Sequence, residues 1–174
     1  VFDKKITIAR AVVSDNLGLS VNFNGAGDLI TNSLRGDFVG RCGHVSKYVK
    51  LKAETDEIKG LSAQGKVSYV AGNLGLKISA KARQAQLYNL AGSDISASLD
   101  FANNQLSADI KANFYTGSLE ADILVGDFYG QQSLSGTTVI ERANLAPLSQ
   151  GFSDVLVGGS LTSFIGMNGT LRNP

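Results

Sequence analysis

From Leu74 onward, apolar and polar residues alternate along this chain almost without a break. Leu74, Leu76, Ile78, Ala80 and Ala82 share one parity, with Lys77, Ser79 and Lys81 on the other. The pattern returns at Ile95, Ala97, Leu99 and Phe101 against Ser96, Ser98 and Asp100. It returns again at Leu106, Ala108, Ile110, Ala112 and Phe114 against Ser107, Asp109, Lys111 and Asn113. A strand throws successive side chains to opposite faces, so a period of two predicts half-buried β-strands.

Strand candidates recur roughly every 10 to 20 residues, the spacing of a long antiparallel meander. They fall at 4–13, 17–24, 34–41, 45–54, 58–71, 74–83, 84–90, 94–103, 105–115, 118–125, 133–143 and 155–171, the last expected to hold two strands. Turn signals separate them: Asp15-Asn16, Gly72-Asn73, Gly92-Ser93, Asn103-Asn104 and Thr116-Gly117. Gly, Asn and Asp tolerate the positive φ that tight hairpins require, and Asn103-Asn104 between two strongly alternating runs is the clearest of these. Gly-x-apolar recurs as Gly65-Lys66-Val67, Gly117-Ser118-Leu119, Gly159-Ser160-Leu161 and Gly169-Thr170-Leu171. Helical periodicity is nearly absent, and one short helix or a loop is expected from Asn144 to about Val155. The expectation is an all-β chain built on a long, strongly curved antiparallel sheet, because glycine inside strands marks bends and bulges.

The face carrying the apolar parity is rich in small residues. Ala63, Gly65, Ala80, Ala82, Ala97, Ala108, Ala112 and Ala121 interleave with Leu, Ile, Val and Phe. Two accounts fit. Either two faces pack closely with alternating sizes, or a groove remains for an apolar guest. A groove would be lined by Leu74, Leu76, Ile78, Leu99, Phe101, Leu106, Ile110, Phe114, Leu119 and Ile123. Acyl chains are the natural guest, because burial contributes about 0.8 kcal/mol per CH₂ without directional chemistry. Near Ile123-Leu124-Val125 both faces read apolar, which points to a bulge, an edge or a shared interface.

Composition narrows the function classes. The 174 residues suit one domain, or one segment of a longer repetitive protein. Sixteen basic and 15 acidic side chains leave a formal charge of +1, with no electrostatic footprint for nucleic acid. No apolar run reaches the ~20 residues of a membrane-spanning helix. The chain opens on Val1 and is read as a slice of a longer protein, so that any signal or anchor lies outside it.

Candidate chemistry is thin. His44 and Cys42 are the single histidine and the single cysteine, so no set of three or four metal ligands can be assembled from them. As a nucleophile and base within one strand or turn they are awkwardly placed and lack a third orienting group. Asp109 with Glu120 or Asp122 can face each other across a hairpin, but on the polar parity, where surface charge is the default. Gly25-Ala26-Gly27 and Gly158-Gly159 do not stand between a buried strand and a helix and are not phosphate loops. No enzyme and no cofactor is expected.

The wording of the C-terminal third is familiar. Leu119-Glu120-Ala121-Asp122 leads through Asp127-Phe128-Tyr129-Gly130 into Leu134-Ser135-Gly136-Thr137-Thr138-Val139. Ala143-Asn144-Leu145-Ala146-Pro147-Leu148 follows, then Gly159-Ser160-Leu161 and Asn168-Gly169-Thr170-Leu171-Arg172-Asn173-Pro174. With the preceding meander, this resembles the repetitive β-rich region of the AsmA-like superfamily, its TamB branch above all. The resemblance implies a β-taco, U-shaped in section, with an apolar interior groove and a polar exterior. It implies a periplasmic segment of a Gram-negative envelope protein anchored in the inner membrane. It also implies a role in moving phospholipid to the outer membrane or shielding hydrophobic clients during outer-membrane protein assembly and secretion. The implied partners are phospholipid acyl chains, unfolded outer-membrane protein strands and an outer-membrane barrel of the TamA kind. No catalytic residues come with it. Two further architectures share the alternation: a transmembrane β-barrel, which needs aromatic girdles that this Trp-free chain lacks, and a guest-free β-solenoid, which needs a tighter period.

Overall fold

The computed structural model describes residues 4–50, 56–87, 90–150 and 158–171. Ten strands form one sheet: β1 (Lys5–Ser14), β2 (Leu19–Asp28), β3 (Ser33–His44), β4 (Glu57–Val70), β5 (Asn73–Leu87), β6 (Leu90–Ala102), β7 (Gln105–Phe114), β8 (Gly117–Gly126), β9 (Ser133–Asn144) and β10 (Ser160–Thr170). Strand order follows chain order, every pairing is antiparallel, and β1 and β10 remain the two edges of a sheet that does not close. One short helix, α1 (Leu145–Gln150), follows β9. The fold is the expected open, curved, taco-like antiparallel sheet. It is neither a closed barrel nor a parallel coil.

Local chemistry explains the connections. Asn103 and Asn104 both take positive φ, 51° and 61°, as the two centres of a tight hairpin must. The neighbouring hairpins turn one residue earlier than expected, at Ala71-Gly72 and Tyr115-Thr116, again with positive φ at both positions. The segment 45–50 is not a strand: Val45–Lys47 form a 3₁₀ turn, and the remainder of the expected 45–54 strand, from 51, lies outside the described residues. The Asn144 side chain accepts a hydrogen bond from the Ala146 N–H at 3.0 Å, which starts α1 in the segment expected to hold a helix or loop. Of the two strands expected over 155–171, one is observed, β10, and 151–157 lie outside the described residues.

Two expected boundaries proved to be twists inside continuous strands. The 74–83 segment and residues 84–87 of the 84–90 segment are parts of one strand, β5, while 88–89 lie outside the described residues and Leu90 opens β6. Gly92-Ser93 lies within β6 rather than at a turn. Between Leu61 and Ile58, between Ala82 and Ala85, and between Ile95 and Gly92, inward-facing positions are three residues apart instead of two. Gly60 (φ 63°) and Asp94 (φ 49°) supply the backbone for this flip, with Arg83 between them on β5. A β-bulge between Ser93 and Ser96 brings β7 back into register. The alternation breaks where the strand rotates, not where it ends.

Direct cross-strand partners share a face. One row runs Ile8, Gly25, Gly36, Val67, Leu76, Phe101, Leu106, Val125, Leu134 and Gly169 from the first strand to the last. The next runs Phe23, Phe38, Gly65, Ile78, Leu99, Ala108, Ile123, Gly136 and Met167. The third includes Val21, Gly40, Ala63, Ala80, Ala97, Ile110, Ala121, Thr138 and Ile165. The opposite face alternates charge and hydroxyls, with Lys77 Nζ 2.9 Å from Asp100 Oδ2 and Lys111 Nζ 3.0 Å from Glu120 Oε1.

Candidate functional site

All ten predicted lining residues lie on the same face of the sheet. Leu76, Phe101 and Leu106 fall in the first row, Ile78, Leu99 and Ile123 in the second, and Ile110 in the third. Leu119 pairs with Ala112, and Phe114 pairs with Gly92 toward the far strand ends. Leu74 sits at the rim beside Tyr69 and is exposed. The suspected discontinuity at Ile123-Leu124-Val125 is not a bulge. Register is unbroken on both sides of β8, Ile123 and Val125 face inward, and Leu124 stands 43 % exposed on the polar face between Ser107 and Ser135.

All ten strands belong to one sheet, and no second sheet covers this face among the described residues. Sustained packing contacts between strands join only chain neighbours. Phe101, Ala108, Phe114, Ala121 and Val125 are the buried floor, yet no large side chain is fully buried among the described residues. Apart from the exposed Leu74, the remaining predicted residues are half-buried. Near Leu19, Val21, Phe38, Cys42, Leu61 and Ala63 the face dips into a hollow of about 250 Å³. Cys42 is a free, buried thiol in its wall.

Glycine and phenylalanine thin the β2–β4 region in a way that sequence reasoning missed. A Cβ at Gly25 or Gly36 would collide with the Phe23 ring, and one at Gly65 with the Phe38 ring. The rings therefore lie flat over their neighbours' bare backbone, which lowers the apolar surface locally. The signal was legible as aromatic residues at fixed distance from in-strand glycines.

A second omission is the aromatic cluster at one strand end. Phe128 and Tyr129 lie in the loop between β8 and β9, and both rings meet Phe101 edge-on, with centroids 5.3 and 5.8 Å away. The Asn104 side chain fixes this loop, accepting from the Tyr129 N–H at 2.9 Å and donating to Asp127 Oδ1 at 3.0 Å. Tyr129 remains exposed. The rim beside Phe101 in the first row is thus aromatic. At the opposite strand ends, the Phe114 and Tyr115 rings meet edge-on at 4.7 Å.

The polar side chains of the described residues gather in two places. His44 Nδ1 is hydrogen-bonded to Glu57 Oε1, and Lys59 Nζ lies 2.9 Å from Glu57 Oε2. The hydrogen bond from His44, reinforced by Lys59, holds the Glu57 carboxyl below its ordinary range. His44 is thereby engaged with the Glu57 carboxylate, which Lys59 also contacts. A polar hollow of about 380 Å³ is lined by Glu57, Lys59, Gln84, Gln86, Ser93, Asn113 and Tyr115, with amides and an ion pair but no nucleophile beside a base. No group of three metal-ligating side chains occurs among the described residues, and no described helix is long and apolar enough to cross a membrane.

The fold and this face define a class: an open, single-layer antiparallel sheet with one apolar and one polar side. Compared with protein-family models, with curated proteins and with solved structures, the chain has no match.

Proposed function

We propose that the chain is a segment of an AsmA-like, TamB-type envelope protein whose apolar β-groove conducts phospholipid or shields hydrophobic clients between inner and outer membranes. One observation carries this reading: the inward side chains of ten consecutive strands form a continuous apolar stripe with no layer packed over it among the described residues. Water-exposed apolar surface of this extent costs free energy, and contiguous patches of that kind mark binding surfaces. An acyl chain lying along the stripe replaces water with methylene contacts and needs no directional partner. The half-buried state of Leu99, Ile110 and Ile123 is what a guest-accepting wall requires. In this reading the segment works in the periplasm, with the membrane anchor elsewhere in the protein and an outer-membrane barrel of the TamA kind as terminal partner. It is a conduit and has no catalytic step.

Native mass spectrometry of the purified chain, followed by lipid extraction of the same sample, tests the proposal. Co-purified phospholipid that disappears in Ile110→Arg supports a groove. A chain free of lipid that also fails to take up a fluorescent acyl probe from vesicles overturns it.

A further inference from the structure

Across β6, β7 and β8 the apolar face has a shaped cross-section. The inward residues of β7, Leu106, Ala108, Ile110, Ala112 and Phe114, mark five rows. A buried phenylalanine stands in each outer row, Phe101 in the first at 7 % exposure and Phe114 in the last at 8 %. Ala97, Ala108, Ala112 and Ala121 keep the three rows between them low. The result is a trough with two aromatic banks.

The banks are built differently. Phe114 meets Tyr115, the next residue in the chain. Phe101 is covered by rings from a separate loop, those of Phe128 and Tyr129, which also meet each other edge-on at 5.7 Å. Asn104 holds that loop three times. Its backbone carbonyl accepts the Phe128 N–H at 2.9 Å, beside the two side-chain bonds to Asp127 and Tyr129. Asp127 and Gln132, at the two ends of the loop, take positive φ of 48° and 56°. Left-handed backbone at non-glycine residues persists only where the surroundings over-determine it. The chain thus commits both strain and hydrogen bonds to keeping two rings over one position of the first row.

We propose that Phe128 and Tyr129 are positioning residues for the guest, confining an acyl chain to the three middle rows of the trough. The inference rests on the groove reading above. Burial of apolar surface is what draws a chain onto this face. Phe101 has little such surface left, because the two rings already cover it, and Val125 in the same row is 8 % exposed. Leu99, Ile110 and Ile123 in the second and third rows are half-buried, so contact area remains there. Without the rings, Phe101 would compete for the chain and draw it toward this rim.

The chain contains no tryptophan, so a single introduced one reports its own surroundings. Leu106→Trp places it in the first row and Ile110→Trp in the third, about 13 Å away along β7. Stearic acid brominated at mid-chain quenches a tryptophan that it touches. Ile110→Trp is quenched at least about threefold more strongly than Leu106→Trp, because two rows separate them. Adding Phe128→Ala and Tyr129→Ala removes that difference by raising quenching at Leu106→Trp. Quenching at Ile110→Trp and the circular dichroism stay as before, whereas rings that served only stability would lower both signals together. If the double variant does not fold, Tyr129→Ala alone, at an exposed site, gives the same shift in part. Equal quenching at the two reporters with the rings in place, or a difference that survives their removal, overturns the proposal and leaves the groove standing. No quenching at either reporter overturns the groove reading and this inference with it.

Discussion

Asp109 and Asp122 stand directly opposite each other on β7 and β8, a like-charge pair on the polar face of the sheet. The hydrogen bond with Asp122 raises the Asp109 pKa above its ordinary 3.8, helped by partial desolvation and opposed by Lys111. A carboxyl raised in the folded state contributes stability that is complete below 3.8 and is lost as pH rises through the folded value. At neutral pH the pair is therefore a net strain on the sheet. Asp109→Asn raises the melting temperature at pH 7, and the gain falls away as pH drops below the raised folded value of Asp109, where its own carboxyl is protonated. Thermal melts at the two pH values check this.

Asp15 has the opposite sign. Its carboxylate accepts from the N–H groups of Leu17 and Leu19 at 3.0 and 2.9 Å and from the Tyr48 hydroxyl at 2.9 Å. The backbone hydrogen bond from Leu19 leads in lowering its pKa from 3.8, while desolvation leads in raising that of Tyr48 from 10.0. The stability Asp15 contributes is present above 3.8 and lost as pH falls through its lower folded value. Asp15→Asn lowers the melting temperature at pH 7, and the difference shrinks below that value. The same melts distinguish the two aspartates.

The stripe separates floor from wall. Phe101 is 7 % exposed, and Phe101→Ala costs about 3–5 kcal/mol by removing buried contacts and the partner of two rings. Ile110→Arg places its charge on a half-buried wall from which a long side chain can reach water, so the loss stays near 1–3 kcal/mol and the far-ultraviolet spectrum is retained. Chemical denaturation of both variants checks the ranking.

Positive φ at Asn103 gives a third kind of test. Asn103→Gly is neutral or stabilising, whereas Asn103→Val costs about 1–2 kcal/mol, because a β-branched residue pays the full steric penalty of the left-handed region. Asn104→Ala acts at a distance by removing both side-chain bonds to the loop carrying Phe128 and Tyr129. Hydrogen exchange at the Tyr129 amide accelerates while exchange in the middle of β7 is unchanged.

Periodicity exposed the face more fully than it exposed the strand ends. The shared face of the ten residues was legible because parity survives from Leu74 to Ala82, from Ile95 to Phe101, from Leu106 to Phe114 and from Leu119 to Ile123. The break near Arg83 was misread because a positive-φ twist at Gly60 and Asp94 reverses parity without ending a strand, and only cross-strand pairing reveals the difference. Leu124 illustrates a different limit: an apolar residue on a polar face looks like a bulge until its neighbours Ser107 and Ser135 are known. Phe128 and Tyr129 lay outside any alternating run, so their approach to Phe101 depended on the loop bonded to Asn104, which no period encodes.

Because sustained contacts between the described strands join chain neighbours, the molecule is thermodynamically closer to a chain of links than to a single knot. Its stability is close to a sum of strand and nearest-neighbour contributions, as in tandem-repeat proteins. Fraying from β1 or β10 can proceed without melting the middle. Length is also free to change: at a spacing of about 4.8 Å per strand, ten strands extend roughly 45 Å, and each added hairpin adds about 10 Å. Strands enter or leave in pairs, as hairpins, since a single strand would reverse the direction of everything downstream. Such an architecture can be cut or extended to span a given gap with no global core to redesign.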